Sequence, residues 1–417
     1  MNTSLVTLTD IDHAAEVLKK VGVETPLQYS RRLSEKYHAK IYIKREDLQE
    51  VRSFKIRGAF NKMSALTVEE QKNGIVTASS GNHAQGVAYS CSALKIHGVI
   101  FMPTVTPNQK IEKVKKFGGS YVKVTLVGKN YDETKHEAKQ YCTDAGSVFI
   151  EAFDDPAIIA GQGTIGKEIY EELGGQFDVL VSQIGGGGLI SGIGLYIKER
   201  VKKVTIVGVQ AEGAPGMNES IKSGEIVSLK KVDPFVDGTA VGRVGKATFA
   251  LCRKYVDKIV VLPEGQVCTT MIELYQNDGI VAEPAGALAI SALEELKDVI
   301  RNKTVVCLIS GGNNDIMRYP EIVERSLVYQ GRKHYFMIEF AQKPGQLKRF
   351  LNEALGAHDD IVLFEYIKKN NKEKGPALVG IELQDRKDYV PLIARMDAVG
   401  IQYRKIESDD MLFNYLI

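Results

Sequence analysis

Cysteine is scarce and scattered. The chain has five among 417 residues (Cys91, Cys142, Cys252, Cys268 and Cys307). The number is odd and there is no C-x-x-C pair, so a disulfide framework, a redox pair and a thiolate metal site are not expected, and a reduced cytoplasmic setting fits. Excess charge is missing too: the formal net charge of +2 gives no reason to expect nucleic acid or a membrane surface as partner. No apolar stretch is long enough to span a bilayer. Met1-Asn2-Thr3-Ser4-Leu5 lacks a basic region followed by an apolar run, so no secretory signal is expected. There is no low-complexity segment and no internal repeat in the first 330 residues. What is present is ordinary for a soluble globular chain, 44% apolar and 25% charged residues, with length for two or three domains and ample core.

An opening helix over about residues 11 to 21, with Thr9 or Asp10 as cap, precedes a strand at 40–44. From Gly74 onward short apolar strands alternate with helices. Strands are predicted at 74–78, 97–102, 119–124, 147–150, 177–182, 204–209, 258–262 and 303–309. Helices are predicted from about the end of the first of these strands to Leu94, from Pro107 to about Phe117, at 131–142, and from Pro156 to about Leu173. That alternation means βαβ units and an α/β fold with mostly parallel sheet. After about Tyr329 the texture changes. Strands at 334–340, 361–367, 377–383 and 401–405, helices at 344–355 and 388–398, and a polar hairpin at 368–375 give a βαββαβ, ferredoxin-like unit.

Three stretches carry chemistry. Ser53-Phe54-Lys55-Ile56-Arg57-Gly58-Ala59 sets a lysine between an aromatic and a β-branched residue. Desolvated there, Lys55 has a lowered pKa and a larger neutral fraction, able to attack an aldehyde and form a Schiff base. A lone lysine is more often a solvated surface charge, but two further stretches change the balance. Gly185-Gly186-Gly187-Gly188-Leu189 lie between a strand and a helix beginning near Leu189. Bare backbone N–H groups and the helix start suit a monophosphate, the alternative being a flexible loop. Ser79-Ser80-Gly81-Asn82-His83 offer hydroxyls, an amide, an imidazole and backbone N–H groups ahead of a helix. They suit a substrate carboxylate, with Asn82 on a phenolic cofactor oxygen; a plain helix cap is the other reading. A reactive amine, a polar glycine-bearing turn and an anion cradle together suggest pyridoxal phosphate.

Ser310 ends an apolar strand at Ser310-Gly311-Gly312-Asn313. Its hydroxyl either partners a pyridine nitrogen or is a turn serine. A carboxylate there would keep the ring nitrogen protonated; a hydroxyl need not, which disfavours a long-lived carbanion and favours prompt loss of a β-substituent. The turns at Ser79, Gly185 and Ser310 all follow predicted strands, where open α/β sheets gather ligands. Gly161-Gln162-Gly163-Thr164-Ile165-Gly166 matches G-x-G-x-x-G but follows a helix start, so close helix packing is the better account than a dinucleotide site. His136-Glu137-Ala138-Lys139-Gln140 lacks the second histidine of a zinc helix, and no metal site is assigned. Glu283, before Pro284, reads either as a buried acid near the ring or as a capping carboxylate.

S-F-K-I-R-G-A, S-S-G-N-H-A-Q-G, G-G-G-G-L and S-G-G-N, in this order, resemble the β-family (fold type II) pyridoxal-phosphate enzymes. Within them the closest resemblance is to the threonine dehydratases, to which Phe153-Asp154-Asp155-Pro156 through Thr164 is also similar. The likeness covers about residues 5–325. It implies a two-lobed catalytic domain over 1–328, with a smaller lobe around 50–150, and an ACT-like regulatory domain over 329–417, where Pro344-Gly345-Gln346-Leu347 stands near that domain's usual P-G-A-L. By resemblance, Lys55 is the Schiff-base lysine and proton-transfer base. Phe54 and Asn82 flank the cofactor, Gly185, Gly186, Gly187, Gly188 and Leu189 hold its phosphate, and Ser310 meets its ring nitrogen. Ser79, Ser80, Gly81, Asn82 and His83 line the substrate site. The implied reaction is β-elimination of water from L-threonine, and less well L-serine, giving 2-oxobutanoate and ammonia as the committed step of isoleucine biosynthesis. Isoleucine feedback, opposition by valine, and a homotetramer are implied by the tail, whose other reading is a dimerisation module. A serine dehydratase or racemase of the same family, or a non-catalytic amino-acid sensor, are the alternative functions.

Overall fold

The computed structural model describes residues 6–21, 24–367, 372–407 and 410–416. It divides into two compact units, one of residues 1–264 and 274–314, the other of residues 265–273 and 315–417.

The first unit holds two sheets. The larger runs Leu27–Tyr29, Lys40–Arg45, Thr304–Ile309, Val179–Gln183, Thr205–Ala211, Lys258–Leu262, parallel except for its first strand. The smaller runs Val122–Leu126, Gly98–Met102, Ile75–Ala78, Val148–Phe149 and is parallel throughout. The apolar runs of the sequence are buried on both faces: every residue of Ile75–Ala78 and of Val179–Gln183 is inside, as parallel strands covered by helices require. In the larger sheet the strand order reverses between Thr304–Ile309 and Val179–Gln183. The turns that follow these two strands, Ser310 and Gly185–Gly188, therefore flank the switch point where ligands bind in such sheets.

The longest helix of this unit, Pro156–Leu173, shows how local sequence sets the frame. Asp155 caps it through Ala157 N (2.8 Å) and Ile158 N (3.2 Å), proline stands at its start, and Gly174 closes it in the left-handed conformation. The G-x-G-x-x-G run lies inside this helix. A Cβ on Gly161 would fall 2.6 Å from the Arg57 carbonyl oxygen, and one on Gly163 3.1 Å from that of Gly192. These glycines let three helices (Lys55–Ser64, Pro156–Leu173 and Gly188–Arg200) meet backbone to backbone.

Most boundaries move by only a residue or two from the sequence expectation. The first helix is Leu8–Leu18, because Thr7 and Asp10 form a reciprocal cap (Asp10 N to Thr7 Oγ1 3.3 Å, Thr7 N to Asp10 Oδ2 2.8 Å) one turn earlier than the apolar pattern suggests. The strand expected at 119–124 is Val122–Leu126, preceded by a 3₁₀ turn at Gly119–Tyr121.

The second unit folds as Lys333–Ala341, Gln346–Glu353, Asp360–Tyr366, Lys374–Glu382, Tyr389–Ala398 and Gln402–Ile406, strand-helix-strand-strand-helix-strand. Its antiparallel sheet, ordered Asp360–Tyr366, Lys374–Glu382, Lys333–Ala341, Gln402–Ile406, has the ferredoxin-like arrangement. Phe336, Ile338, Phe350, Val379, Leu392 and Met396 form its core. Of the polar hairpin expected at 368–375, residues 368–371 lie outside the described residues.

Candidate active site

Lys55 opens the helix Lys55–Ser64. The segment before it is pinned to the end of the Thr304–Ile309 strand: Ser53 bridges Gly311, and Phe54 N donates to Ser310 O at 3.0 Å. Helix Asn82–Leu94 packs onto Lys55 itself, since a Cβ on Gly86 would lie 3.0 Å from the Lys55 carbonyl. The half-buried amine donates to Ala152 O at 2.8 Å and stands 5.3 Å from the Phe54 ring centre. Burial lowers its pKa to about 8, with Glu283 pulling the other way.

Ala152 leads directly to the glycine run. Phe153 covers it so closely that a Cβ on Gly186 would fall 2.4 Å from the ring, and one on Gly188 2.9 Å from the Phe153 carbonyl oxygen. Gly187 has φ +96°, a conformation that glycine takes without strain. Thr248 Oγ1 donates to Gly186 O at 2.6 Å, and Asp154 caps the helix Lys246–Tyr255 through Lys246 N (2.9 Å) and Ala247 N (3.0 Å). Among the described residues the N–H groups of Gly185, Gly186, Gly187, Gly188 and Leu189 find no acceptor. Five unsatisfied donors at the start of a 13-residue helix are an arrangement that could hold a phosphate. Leu189 offers only its N–H, because its side chain belongs to the core.

The Ser79 turn comes to the same place. Ser79 Oγ accepts from Gly81 N at 3.2 Å, which folds the turn ahead of the helix. Ser80 and Gly81 stay half-exposed. Asn82 Nδ2 donates to Glu283 Oε1 at 2.6 Å, and Asn82 Oδ1 accepts from Asn313 Nδ2 at 2.8 Å. His83 turns its ring away, onto Ile150 O at 3.1 Å. Burial, with help from Lys55, pushes its pKa down to about 3, so the imidazole is neutral. Ser310 is buried and its hydroxyl has no hydrogen-bond partner among the described residues. A donor left open at a switch point fits a ring nitrogen better than a turn, because turn serines bond their own backbone.

Glu283 resolves between its two readings. It occupies the cap position of the helix Pro284–Ser291, yet its side chain makes no capping bond. Instead it accepts from Asn82 and from Asn313 N (3.2 Å), and it stands against Gly311, where a Cβ would be 2.5 Å from Oε1. Burial, then Asp237, raises its pKa to about 7. Asn313 was visible in S-G-G-N but without a role; holding both Asn82 and Glu283 gives it one. Ala152 carries no signal of its own in the sequence, and Phe153 stands out there only as the start of a stretch similar to the family; their contribution is a carbonyl and a ring placed by the chain path.

A buried acid with a raised pKa has a sign that can be checked. Below the ordinary value of 4.5 Glu283 is protonated folded or unfolded and contributes nothing. Between 4.5 and about 7 the unfolded chain ionises first, so the wild type loses stability relative to a neutral analogue; above about 7 the loss is complete. The rise corresponds to about 3 kcal/mol. We expect Glu283→Gln to be more stable than wild type by about 2–3 kcal/mol at pH 8 and by much less at pH 5, by urea unfolding. Equal differences at both pH values would refute this.

The lysine, the phosphate cradle and the open serine hydroxyl around one crevice fit pyridoxal phosphate, and the two-lobed frame is that of an enzyme using it. The model "Pyridoxal-phosphate dependent enzyme" matches residues 18–311, and "C-terminal regulatory domain of Threonine dehydratase" matches residues 324–416. The chain is 52% identical over 412 residues to "L-threonine dehydratase biosynthetic IlvA" of Halalkalibacterium halodurans, covering 99% of each. To the Bacillus subtilis protein of the same description it is 49% identical over 414 residues, 99% of this chain and 98% of the relative. Among solved structures, the processed form of threonine deaminase isoform 2 from Solanum lycopersicum has TM-score 0.70 and 38% identity, covering 76% of this chain and 94% of that one. Maize serine racemase has TM-score 0.70 and 27% identity, covering 78% and 98%. The chain belongs to the biosynthetic threonine dehydratase family of pyridoxal-phosphate-dependent enzymes. No helix among the described residues is long and apolar enough to cross a membrane, and no cluster of His, Cys, Asp or Glu there is fit to hold a metal.

Proposed function

We propose that the protein is a lyase that deaminates L-threonine to 2-oxobutanoate and ammonia, the committed step of isoleucine biosynthesis, and acts less well on L-serine. The observation that carries this is likeness over the full length, catalytic and regulatory portions together, to relatives named for that activity. We assign catalysis to residues 1–328 and regulation, by isoleucine with valine opposing, to 329–417. A cytoplasmic homotetramer completes the reading.

The bound cofactor supplies an aldehyde that captures the substrate amine and a ring that withdraws electrons from Cα. The N–H groups of Gly185 to Leu189 hold its phosphate, the Ser310 hydroxyl meets its ring nitrogen, and Asn82, steadied by Asn313, reaches its phenolic oxygen. Phe54 flanks its ring. The hydroxyls of Ser79 and Ser80 and the N–H groups of Gly81, Asn82 and His83 bind the substrate carboxylate at the start of a helix, where partial positive charge favours it. Lys55, its pKa lowered by burial to about 8, is suited to take the Cα proton and to return it as the β-hydroxyl departs as water.

The test is 2-oxobutanoate formation from L-threonine by the purified holoenzyme, with and without isoleucine. Turnover that isoleucine suppresses supports both parts. Turnover indifferent to isoleucine leaves the lyase and removes the feedback. A bound cofactor without product refutes the substrate assignment, and D-serine formation from L-serine would then indicate a racemase.

A further inference from the structure

The helix Asn108–Gly118 belongs to the lobe of the smaller sheet, where Ile111 and Val114 fix it in the core. It carries lysines at 110, 113, 115 and 116. Lys110 pairs with Asp237 at 2.8 Å, Lys115 pairs with Glu112 at 3.0 Å, and Lys116 is exposed. Lys113 is half-buried, and its amine donates to Asn313 Oδ1 at 3.2 Å, 200 residues further along the chain.

Asn313 is held on every side. Its Nδ2 donates to Val51 O at 2.8 Å and to Asn82 Oδ1 at 2.8 Å, and its backbone N–H donates to Glu283 Oε2 at 3.2 Å. Gly312 before it donates to Arg52 O at 2.9 Å. A lysine ammonium can only donate and a backbone carbonyl can only accept. Lys113 and Val51 O therefore leave the Asn313 amide one orientation, oxygen toward Lys113 and nitrogen toward Asn82. The choice passes on. Asn82 meets a donor and presents its oxygen there, so its nitrogen turns to Glu283 Oε1 at 2.6 Å. An amide nitrogen carries two hydrogens. Asn82 spends one on Glu283, and the other has no acceptor among the described residues.

We infer that Lys113 is a positioning residue for the reaction: through Asn313 it sets the Asn82 amide so that an N–H, and not a carbonyl, meets the phenolic oxygen of the cofactor. The inference rests on the reading above that Asn82 reaches that oxygen. A hydrogen bond donated there favours the ionised phenolic oxygen, the visibly coloured form, over the neutral form that absorbs in the near ultraviolet. A reversed amide would set oxygen against oxygen. Val51 O favours the same orientation of Asn313, so loss of the lysine weakens the arrangement without abolishing it.

The test compares the purified holoenzymes of wild type, Lys113→Met, Lys113→Arg, Lys116→Met and Asn82→Ala by absorbance spectrum, by Kd for pyridoxal phosphate, and by kcat and KM for L-threonine. Methionine keeps the length of the stem and the preference for helix, so the fold tolerates it. Lys113→Met should raise the cofactor Kd about three- to tenfold, shift absorbance from the visible to the near-ultraviolet band, and lower kcat more than it raises KM. Lys113→Arg, which can also only donate, should restore most of the visible band. Lys116→Met, on the same helix, should match wild type, and Asn82→Ala should show the larger spectral change. A wild-type spectrum and Kd in Lys113→Met beside an altered Asn82→Ala overturns the role of Lys113 and leaves the reading of Asn82 standing. Wild-type spectra in both overturn the two together. A change that Lys116→Met shares also overturns the inference, because the charge of the helix as a whole would then account for it.

Discussion

Lys55→Ala should lose at least about 10³-fold in 2-oxobutanoate formation from L-threonine while remaining folded. The lysine makes one hydrogen bond, to Ala152 O, and sits at the first position of its helix. Alanine is the better helix former, and removal of a desolvated amine relieves a burial cost. The unpaired Ala152 carbonyl costs about 1–2 kcal/mol at most, so the loss of activity is chemical. Lys55→Arg sharpens the test. Arginine keeps the positive charge and most of the stem, but its guanidinium does not give up a proton near neutrality, so it cannot act as the base and should be as inactive as alanine. Circular dichroism should be superimposable for all three proteins. Activity within tenfold of wild type in either variant would remove Lys55 from the chemistry.

How much of this was legible in the sequence depends on which force fixes each feature. The alternating strands were readable because parallel strands are buried on both faces and stand out as short apolar runs. The helix Pro156–Leu173 was readable at both ends because proline, aspartate and glycine punctuate it. The run Gly185–Gly188 stood out as four glycines at a strand end, but that Phe153 packs against Gly186 was not legible, because the contact comes from the chain path and not from the glycines themselves. The helix that Lys55 opens was not assigned: its cap position is Phe54, which makes no side-chain capping bond, so no local signal marks it. Glu283 stood ambiguous because its position before Pro284 fits a cap equally well. The choice came from Asn82, 201 residues away, which takes its carboxylate. His83 offered both an imidazole and a backbone N–H to the substrate site, and which of them faces it was not legible; the Ile150 carbonyl holds the ring. Such pairings are set by chain topology, which residue type alone does not encode.

The helix that carries Lys55 is held by a buried charge cluster, and Arg57→Met should cost about 3–5 kcal/mol of stability. Arg57 is wholly buried. Its guanidinium donates to Glu46 at 2.9 and 2.8 Å, to Glu168 Oε2 at 2.9 Å and to Thr164 Oγ1 at 3.0 Å. Lys44, also buried, pairs with Glu168 at 2.6 Å and donates to Thr25 O. Two cations thus face two carboxylates with nearly every polar atom bonded, and although burial opposes charge, Glu46 and Glu168 hold the guanidinium well above its ordinary pKa. The methionine variant leaves two buried carboxylates against one ammonium, which is why the cost exceeds that of a lost hydrophobic contact. A second change separates this account from simple loss of packing. Adding Glu46→Gln to Arg57→Met rebalances the charge at one anion to one cation, and should recover a large part of the lost stability in urea unfolding; non-additivity of this kind marks residues of one network. Additive losses would show that the cluster acts through volume alone. Since Arg57 lies two residues from Lys55 on the same helix, the single variant should also reduce turnover, and the double variant should restore part of it.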